Sequence, residues 1–275
     1  MKKLFVLAVL SIVLTANLYG QNVPFYMPKD GLVGYWPFNG NANDASGKRN
    51  HGIVNGAILT RDRNGVANNA YSFNGSNQKI TVNDNDVLSF PSGIFTLSAW
   101  VNVNSPVLDC NILCKYDITT NFEYNMGINS TNMMIGGQAL SLGGNGNSGA
   151  ATSVHQYINN WHYFTYVSNS GNGTKLFVDG VQIATGTFNT SSPMGNGTGS
   201  LYFGMGGGWN QQNYFKGSID DIAIYKRALT EQEIIALYTS TSEGGNFRQS
   251  FRRSASNSKT KRYRRSIHQH GNTKH

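Results

Sequence analysis

The stretch Phe95-Thr-Leu-Ser-Ala-Trp-Val-Asn-Val103 alternates apolar and other side chains for nine residues. Successive side chains of an extended chain point to opposite faces. Phe95, Leu97, Ala99, Val101 and Val103 therefore share one face, and Thr96, Ser98, Trp100 and Asn102 share the other. A helix would scatter the same residues around its circumference, so the segment reads as a strand with its first face in a core. Trp100, on the second face, is expected to lie under a covering loop; the alternative is that it lines a concave ligand surface.

Outward from this strand the chain repeats one construction, short apolar stretches separated by Asn, Gly, Asp and Ser. Further strands are expected at Leu32–Phe38, Gly52–Ile58, Tyr71–Phe73, Lys79–Val82, Asn111–Tyr116, Phe122–Ile128, Met133–Ile135, Trp161–Ser168, Lys175–Val178, Val181–Ala184, Leu201–Phe203 and Ser218–Tyr225. Many short strands at regular spacing mark a sandwich or barrel. Asp179-Gly180, between two apolar runs, supplies the positive φ angles of a two-residue hairpin turn. One helix is evident, with Thr230 as cap, Glu233 closing a capping box, and Ile234, Ile235, Leu237 and Tyr238 as its buried stripe. One all-β domain is expected from about Pro24 to Thr241. Leu140–Thr152 and Thr190–Gly199, rich in Gly, Asn and Ser, read as long surface loops.

Composition agrees. The 275 residues include 32 Gly, 14 Tyr and 14 Phe, and only 13% are charged, a mix suited to pleated surfaces joined by tight turns. Lys2 and Lys3, the apolar run Leu4–Leu14 and the exit Thr15–Gly20 read as a secretory signal over residues 1–20, too short to span a bilayer; the protein is expected outside the cell or at its surface. Cys110 and Cys114 sit four residues apart. In a straight strand that is about 13 Å, beyond disulfide reach, so a bridge would require a turn near Asn111, and two unpaired small core residues are the other reading.

The net charge of +8 belongs mainly to the C-terminus. Nine Lys or Arg and no acid follow from Arg248, and two more lie in the signal; the remaining eleven face 14 acids, a balance of −3 for the body. Residues 247–275 are expected to be disordered. They could grip an anionic polymer by charge, or form a solvated extension or an out-of-frame end.

Ordered blocks carry a family resemblance: Gly31-Leu-Val-Gly-Tyr-Trp-Pro-Phe-Asn-Gly-Asn-Ala-Asn-Asp-Ala-Ser-Gly47, Asn50-His-Gly52, Ser72-Phe-Asn-Gly75, Phe95–Val101, Trp161-His-Tyr-Phe164, Leu176-Phe-Val-Asp-Gly180 and Phe215–Leu229. In this order they resemble the laminin-G-like jelly-roll domains of the concanavalin A-like lectin/glucanase superfamily. The resemblance implies a two-sheet antiparallel jelly-roll sandwich with one short C-terminal helix. It also implies a structural Ca²⁺ where the opening loop meets the final strand, at positions matched by Asp44 and Asp220. Strand alternation separates Asp220 from Asp221, so only Asp220 is expected to face that site. The other reading is that these acids cap turns and pair with Lys48 or Arg49.

No catalytic constellation is visible. The hydrolase branch of the superfamily places paired glutamates on one strand, whereas the only glutamate here among the strands is Glu123, with Asp117 as a remote partner. His51, His155 and His162 are scattered, no Gly-x-Ser-x-Gly elbow precedes a helix, and no phosphate-cradling loop is present. The expected function is therefore non-catalytic binding of an extracellular glycan, with adhesion through a cell-surface protein as the alternative and glycoside hydrolysis a distant third. The Gly206–Tyr214 segment, with Trp209, Asn210 and Tyr214, is the candidate ligand loop; Trp209 as a lid on the core is the competing placement.

Overall fold

The computed structural model describes residues 23–104, 109–117, 121–129, 134–139, 148–188, 197–205 and 214–242. The expected signal, Trp209, Asn210 and the basic tail lie outside them. Fifteen strands run in order: β1 (Leu32–Trp36), β2 (Gly52–Asn55), β3 (Ile58–Thr60), β4 (Ala70–Asn74), β5 (Lys79–Val82), β6 (Phe95–Val103), β7 (Cys110–Asp117) and β8 (Asn121–Asn129); then β9 (Met134–Ala139), β10 (Ser148–Ser153), β11 (Trp161–Asn169), β12 (Gly173–Val178), β13 (Val181–Gly186), β14 (Ser200–Phe203) and β15 (Lys216–Tyr225). The helix α1 (Glu231–Ser242) follows. An eight-stranded sheet has the order β13-β12-β11-β6-β15-β4-β3, with β1 also paired to β15, and a seven-stranded sheet has the order β10-β9-β8-β7-β14-β5-β2. Every ladder is antiparallel. This is the expected two-sheet jelly-roll sandwich.

Strand β6 matches the alternation residue for residue. Phe95, Leu97, Ala99, Val101 and Val103 enter the core between the sheets together with Trp36, Phe38, Tyr124, Phe164, Tyr166 and Phe203. The opposite face is covered as well. Trp100, Tyr163, Phe177, Ala223 and Tyr225 form a second apolar cluster under α1 and the lead-in residue Met27. The Trp100 ring lies 5.4 Å from Tyr163 and 5.8 Å from Tyr238, so Trp100 is structural and lines no ligand surface. The hairpin turn is as read, with Asp179 at φ 52° and Gly180 at φ 78°. So is the capping box, in which the Thr230 N–H donates to Glu233 Oε2 (2.9 Å) and the Glu233 N–H to Thr230 Oγ1 (3.3 Å). Ile235 departs from the expected stripe and is exposed; Ile234 and Leu237 carry the packing.

Other differences have local causes. Gly52–Ile58 is two strands, because Gly56 at φ +79° turns the chain from the seven-stranded sheet into the eight-stranded one. Part of the expected loop Leu140–Thr152 is the edge strand β10. Its Ser-Gly-Ala-Ala-Thr-Ser sequence carries no bulky apolar residue to mark it, and it runs close against Gly136 of its ladder partner β9. Two 3-10 turns, Asp86–Leu88 and His155–Tyr157, were not foreseen. Cys110 and Cys114 are both free and buried. Cys110 faces the core and Cys114 the opposite side, between Tyr202 and Asn125 in the ladder. Burial pushes both thiols up to about 12, which keeps them unreactive near neutrality.

At Gly137 an added Cβ would strike the Tyr166 ring, which is fully buried in the core. Gly137→Ala is expected to destabilise the fold by about 1–3 kcal/mol through overpacking, measured as a lower urea midpoint at unchanged slope.

Candidate functional site

Asp44 is a loop staple. Its Oδ1 accepts the Tyr35 N–H (3.0 Å) and the Ser46 N–H (2.8 Å), and its Oδ2 accepts the Asn50 N–H (2.8 Å). Asn50 continues the lattice through Trp36 Nε1, which donates to its carbonyl at 2.8 Å, and through its own amide, which donates to the Val33 carbonyl at 3.0 Å. The opening motif thus ties its own loop to β1.

Asp220 and Asp221 behave differently from a simple alternation. The register of β15 against β6 shifts between Asp220 and Ala223, and Asp221 adopts φ +47°. This is a bulge, and it turns two consecutive carboxylates to the same outer face. Both meet Arg63: Nη1 lies 2.6 Å from Asp220 Oδ2 and Nη2 lies 2.9 Å from Asp221 Oδ2. The remaining oxygens are taken too, Asp220 Oδ1 by the Asp221 N–H (2.8 Å) and Asp221 Oδ1 by the Tyr35 hydroxyl (2.8 Å). Burial pushes the Asp220 carboxyl well up, Asp221 beside it adds to this, and Arg63 opposes both. The expected pairing with Lys48 or Arg49 is replaced by this one.

Glu123 is consumed in a second ion cluster at one end of the sandwich. Lys115 Nζ contacts Glu123 Oε1 (2.8 Å), Asp84 Oδ1 (2.7 Å) and the carbonyls of Gly197 (3.0 Å) and Gly199 (2.8 Å). The Lys115 side chain is 0% exposed and that of Glu123 2%. A carboxyl sealed from solvent and held by an ammonium is poorly placed to protonate a glycosidic oxygen. Asp117 lies on β7, and its side chain is outside the described set. Of the histidines, His162 faces Asp179 at 2.7 Å (Nδ1 to Oδ2) and His51 Nδ1 accepts the Asp44 N–H at 3.1 Å.

The open polar face belongs to the seven-stranded sheet. With Ile80, Val82, Leu201 and Phe203 turned into the core, alternation turns Lys79, Thr81, Ser200 and Tyr202 outward. One ladder row runs Ile53, Thr81, Tyr202, Cys114, Asn125. At about 4.8 Å per strand, Thr81 and Asn125 stand about 14 Å apart. Thr81 Oγ1 donates to Asn55 Oδ1 at 2.9 Å, and Lys79 Nζ sits 5.3 Å from the Tyr202 ring centroid. Met205 lies over this face, its sulfur 3.6 Å from Lys79 Nζ and its carbonyl 3.6 Å from Cys114 Sγ. Tyr214 pairs with Met205 in an antiparallel bridge. Met205 and Tyr214 flank the 206–213 segment, which holds Trp209 and Asn210 and lies outside the described residues. A separate groove of about 390 Å³ between the lead-in and the opening loop is lined by Val23, Lys29, Leu32, Ala45 and Lys48, without an aromatic surface.

A laminin-G family model, described as the concanavalin A-like lectin/glucanases superfamily, matches residues 74–235. The chain belongs to this superfamily. Among solved structures similar to this superfamily member, the binding domain of Paraclostridial Mosquitocidal Protein 1 aligns with a TM-score of 0.62 at 20% identity, covering 78% of this chain and 53% of that one. The botulinum neurotoxin serotype D ligand binding domain in complex with N-acetylneuraminic acid aligns at 0.61 and 17%, covering 77% and 51%. The serotype G binding domain aligns at 0.61 and 15%, with the same coverage. The chain spans about half the length of these structures, and the likeness is one of fold. No curated protein matches it.

The superfamily resemblance implied Ca²⁺ at Asp44 and Asp220, but the side chains as placed do not fit one. Ca²⁺ takes six to eight oxygens, whereas the carboxylates of Asp44, Asp220 and Asp221 already accept N–H or O–H donors. Asp44 and Asp221 meet opposite ends of Tyr35 and share no centre. Among the described residues no group of three or more His, Cys, Asp or Glu gathers as a metal site. Sequence reading missed Arg63, Lys115 and Tyr202. Only Tyr202 carried a local signal, since in Leu-Tyr-Phe the period of two turns it away from the core.

Removing Lys115 tests the buried cluster. Lys115→Met leaves Glu123 without its cation, and a loss of about 3–5 kcal/mol is expected at neutral pH. Burial already raises the Glu123 carboxyl, and Lys115 partly offsets this. A carboxyl raised in the folded state costs stability while ionised, and that cost disappears as pH falls through its folded value. The deficit of Lys115→Met against wild type is therefore expected to shrink between pH 7 and about 4.5, followed by denaturant midpoints at each pH; a deficit growing on acidification would contradict the assignment.

Proposed function

We propose that the chain is an extracellular, non-catalytic carbohydrate-binding module whose glycan lies along the outer face of the seven-stranded sheet. One observation carries the reading. The half-buried Tyr202 stands in a ladder row with Thr81, itself bonded to Asn55, on one side and Cys114 and then Asn125 on the other. Sugars bind through aromatic surfaces against their C–H faces and through amides and hydroxyls against their own hydroxyls, a mixture usual in ligand sites. The length of the row suits a short oligosaccharide. The sealing of Glu123 by Lys115 supports binding over hydrolysis.

A second reading is favoured by the sheet edges. Ile53 and Val54 on edge strand β2 and Ile58 on edge strand β3 are exposed, and apolar edges of this kind suit a protein partner. The basic tail, outside the described residues, would add salt-sensitive attraction to anionic polymers.

Glycan-array binding by the full chain at 0.15 M and 1 M salt separates these readings. Face binding is expected to survive high salt, whereas tail binding fades. For any glycan retained, Tyr202→Ala is expected to weaken affinity tenfold or more, about 1.4 kcal/mol per decade, with the melting temperature unchanged. A blank array, or a Tyr202→Ala protein that binds like wild type, rejects the proposed face.

A further inference from the structure

We infer that Arg63 is the resident cation of the fold, holding the Asp220–Asp221 pair in the position where the family resemblance implied a metal ion. The arrangement is built. Asp62, the residue before it, accepts the Asn64 N–H (2.8 Å) and the Val66 N–H (2.9 Å) on Oδ1, and its own N–H donates to the Val66 carbonyl at 3.0 Å. Arg61 Nη1 donates to the Gly65 carbonyl at 2.6 Å. Residues 61–66 thus form a closed turn whose outward geometry aims Arg63 across the sheet. The guanidinium stacks over Trp100 at 4.6 Å from the ring centroid; the indole shields one face of it and adds a cation–π attraction. Its two terminal nitrogens then reach one carboxylate each, and the planar fork fits such a pair where an ammonium would not.

Every carboxylate oxygen of the pair has a donor in this arrangement. Of the four carboxylate oxygens, two take Arg63, one takes a backbone N–H and one takes the Tyr35 hydroxyl. A metal entering here would have to displace the guanidinium and break the Tyr35 contact. The clasp also joins four distant parts of the chain: the 61–66 turn, β15, Tyr35 of β1 and Trp100 of β6. Arg63, Asp220 and Asp221 are 10%, 3% and 13% exposed at their side chains, so solvent screens the pair weakly.

Thermal unfolding of the full chain, with EDTA and separately with millimolar CaCl₂, tests the inference. Wild type is expected to melt at one temperature in both. Arg63→Met is expected to melt about 5–15 °C lower, as losing one partner of a buried ion cluster does in a domain of this size, and the double variant Arg63→Met/Asp220→Asn is expected to recover part of that loss. Arg63→Lys, which keeps the charge and loses the fork, is expected to fall between wild type and Arg63→Met. Should Arg63→Met fail to fold, the wild-type chelator comparison and Arg63→Lys still decide. A wild-type melting temperature lowered by EDTA and restored by Ca²⁺ overturns the inference, as does Arg63→Met or Arg63→Lys melting with wild type.

Discussion

Strand β15 must serve two neighbours on one of its sides, and the rest of the sandwich depends on how it does so. Along its other side it pairs β6 at both ends. On this side β4 holds Lys216–Ile219 and β1 takes over at Ile222–Tyr225. The bulge sits at the change of partner. An extra residue placed there without a bulge would shift the register by one and send Ile222 and Ile224 out of the core. With Asp221 at φ +47°, Ile219, Ile222 and Ile224 all stay inside, and the surplus residue is carried on the outer face. Aspartate is among the few side chains that tolerate this backbone region. The acid pair is therefore first a solution to strand pairing. Its charge is a consequence that Arg63 then offsets.

From the same sheet follows the location of any recognition. The middle of the eight-stranded sheet is buried on both faces, by the core on one side and by α1, Met27 and the 61–66 turn on the other, while its edge strands carry exposed residues. Ile234 and Leu237 complete that outer cluster, and burying each such side chain is worth roughly 1.5–3 kcal/mol before entropy is counted. The helix is thus part of the sandwich. The seven-stranded sheet has no comparable cover among the described residues; Met205 lies over only part of its outer face. Side chains free to meet a ligand are accordingly those of Lys79, Thr81, Tyr202 and Asn125.

What was legible in the sequence was whatever is decided within a few residues. The bounds of β6 followed from period two, the hairpin from Asp179-Gly180 and the helix start from Thr230 and Glu233. Features set by distant partners were not legible. Gly56 looks like any strand glycine until its flanks join different sheets, and β10, without large apolar side chains, shows as a strand only through its ladder with β9. Alternation assigned Asp220 and Asp221 to opposite faces, and only pairing with β4, β1 and β6 reveals the bulge. Arg63 stands 157 positions from Asp220, and nothing local to it names that target. For the candidate site, the sequence pointed to the loop ending at Tyr214, while the sheet face emerges only from ladder register.

The two internal cations bear on the kind of ligand that the remaining surface suits. Arg63 and Lys115 each face two acids and offset part of their charge inside the protein. The outer row of the seven-stranded sheet contains Ile53, Thr81, Tyr202 and Asn125, with Lys79 as its neighbouring charge, itself engaged with Met205 and the Tyr202 ring. A surface of hydroxyl, amide and aromatic groups discriminates by hydrogen-bond geometry and shape, and charge has little part in it. Neutral or weakly charged sugar hydroxyls match it better than phosphate or sulfate, which would seek the basic residues after Arg248. On the proposed function the body and the tail would address different chemistries, and the salt dependence of binding is the property that would tell them apart.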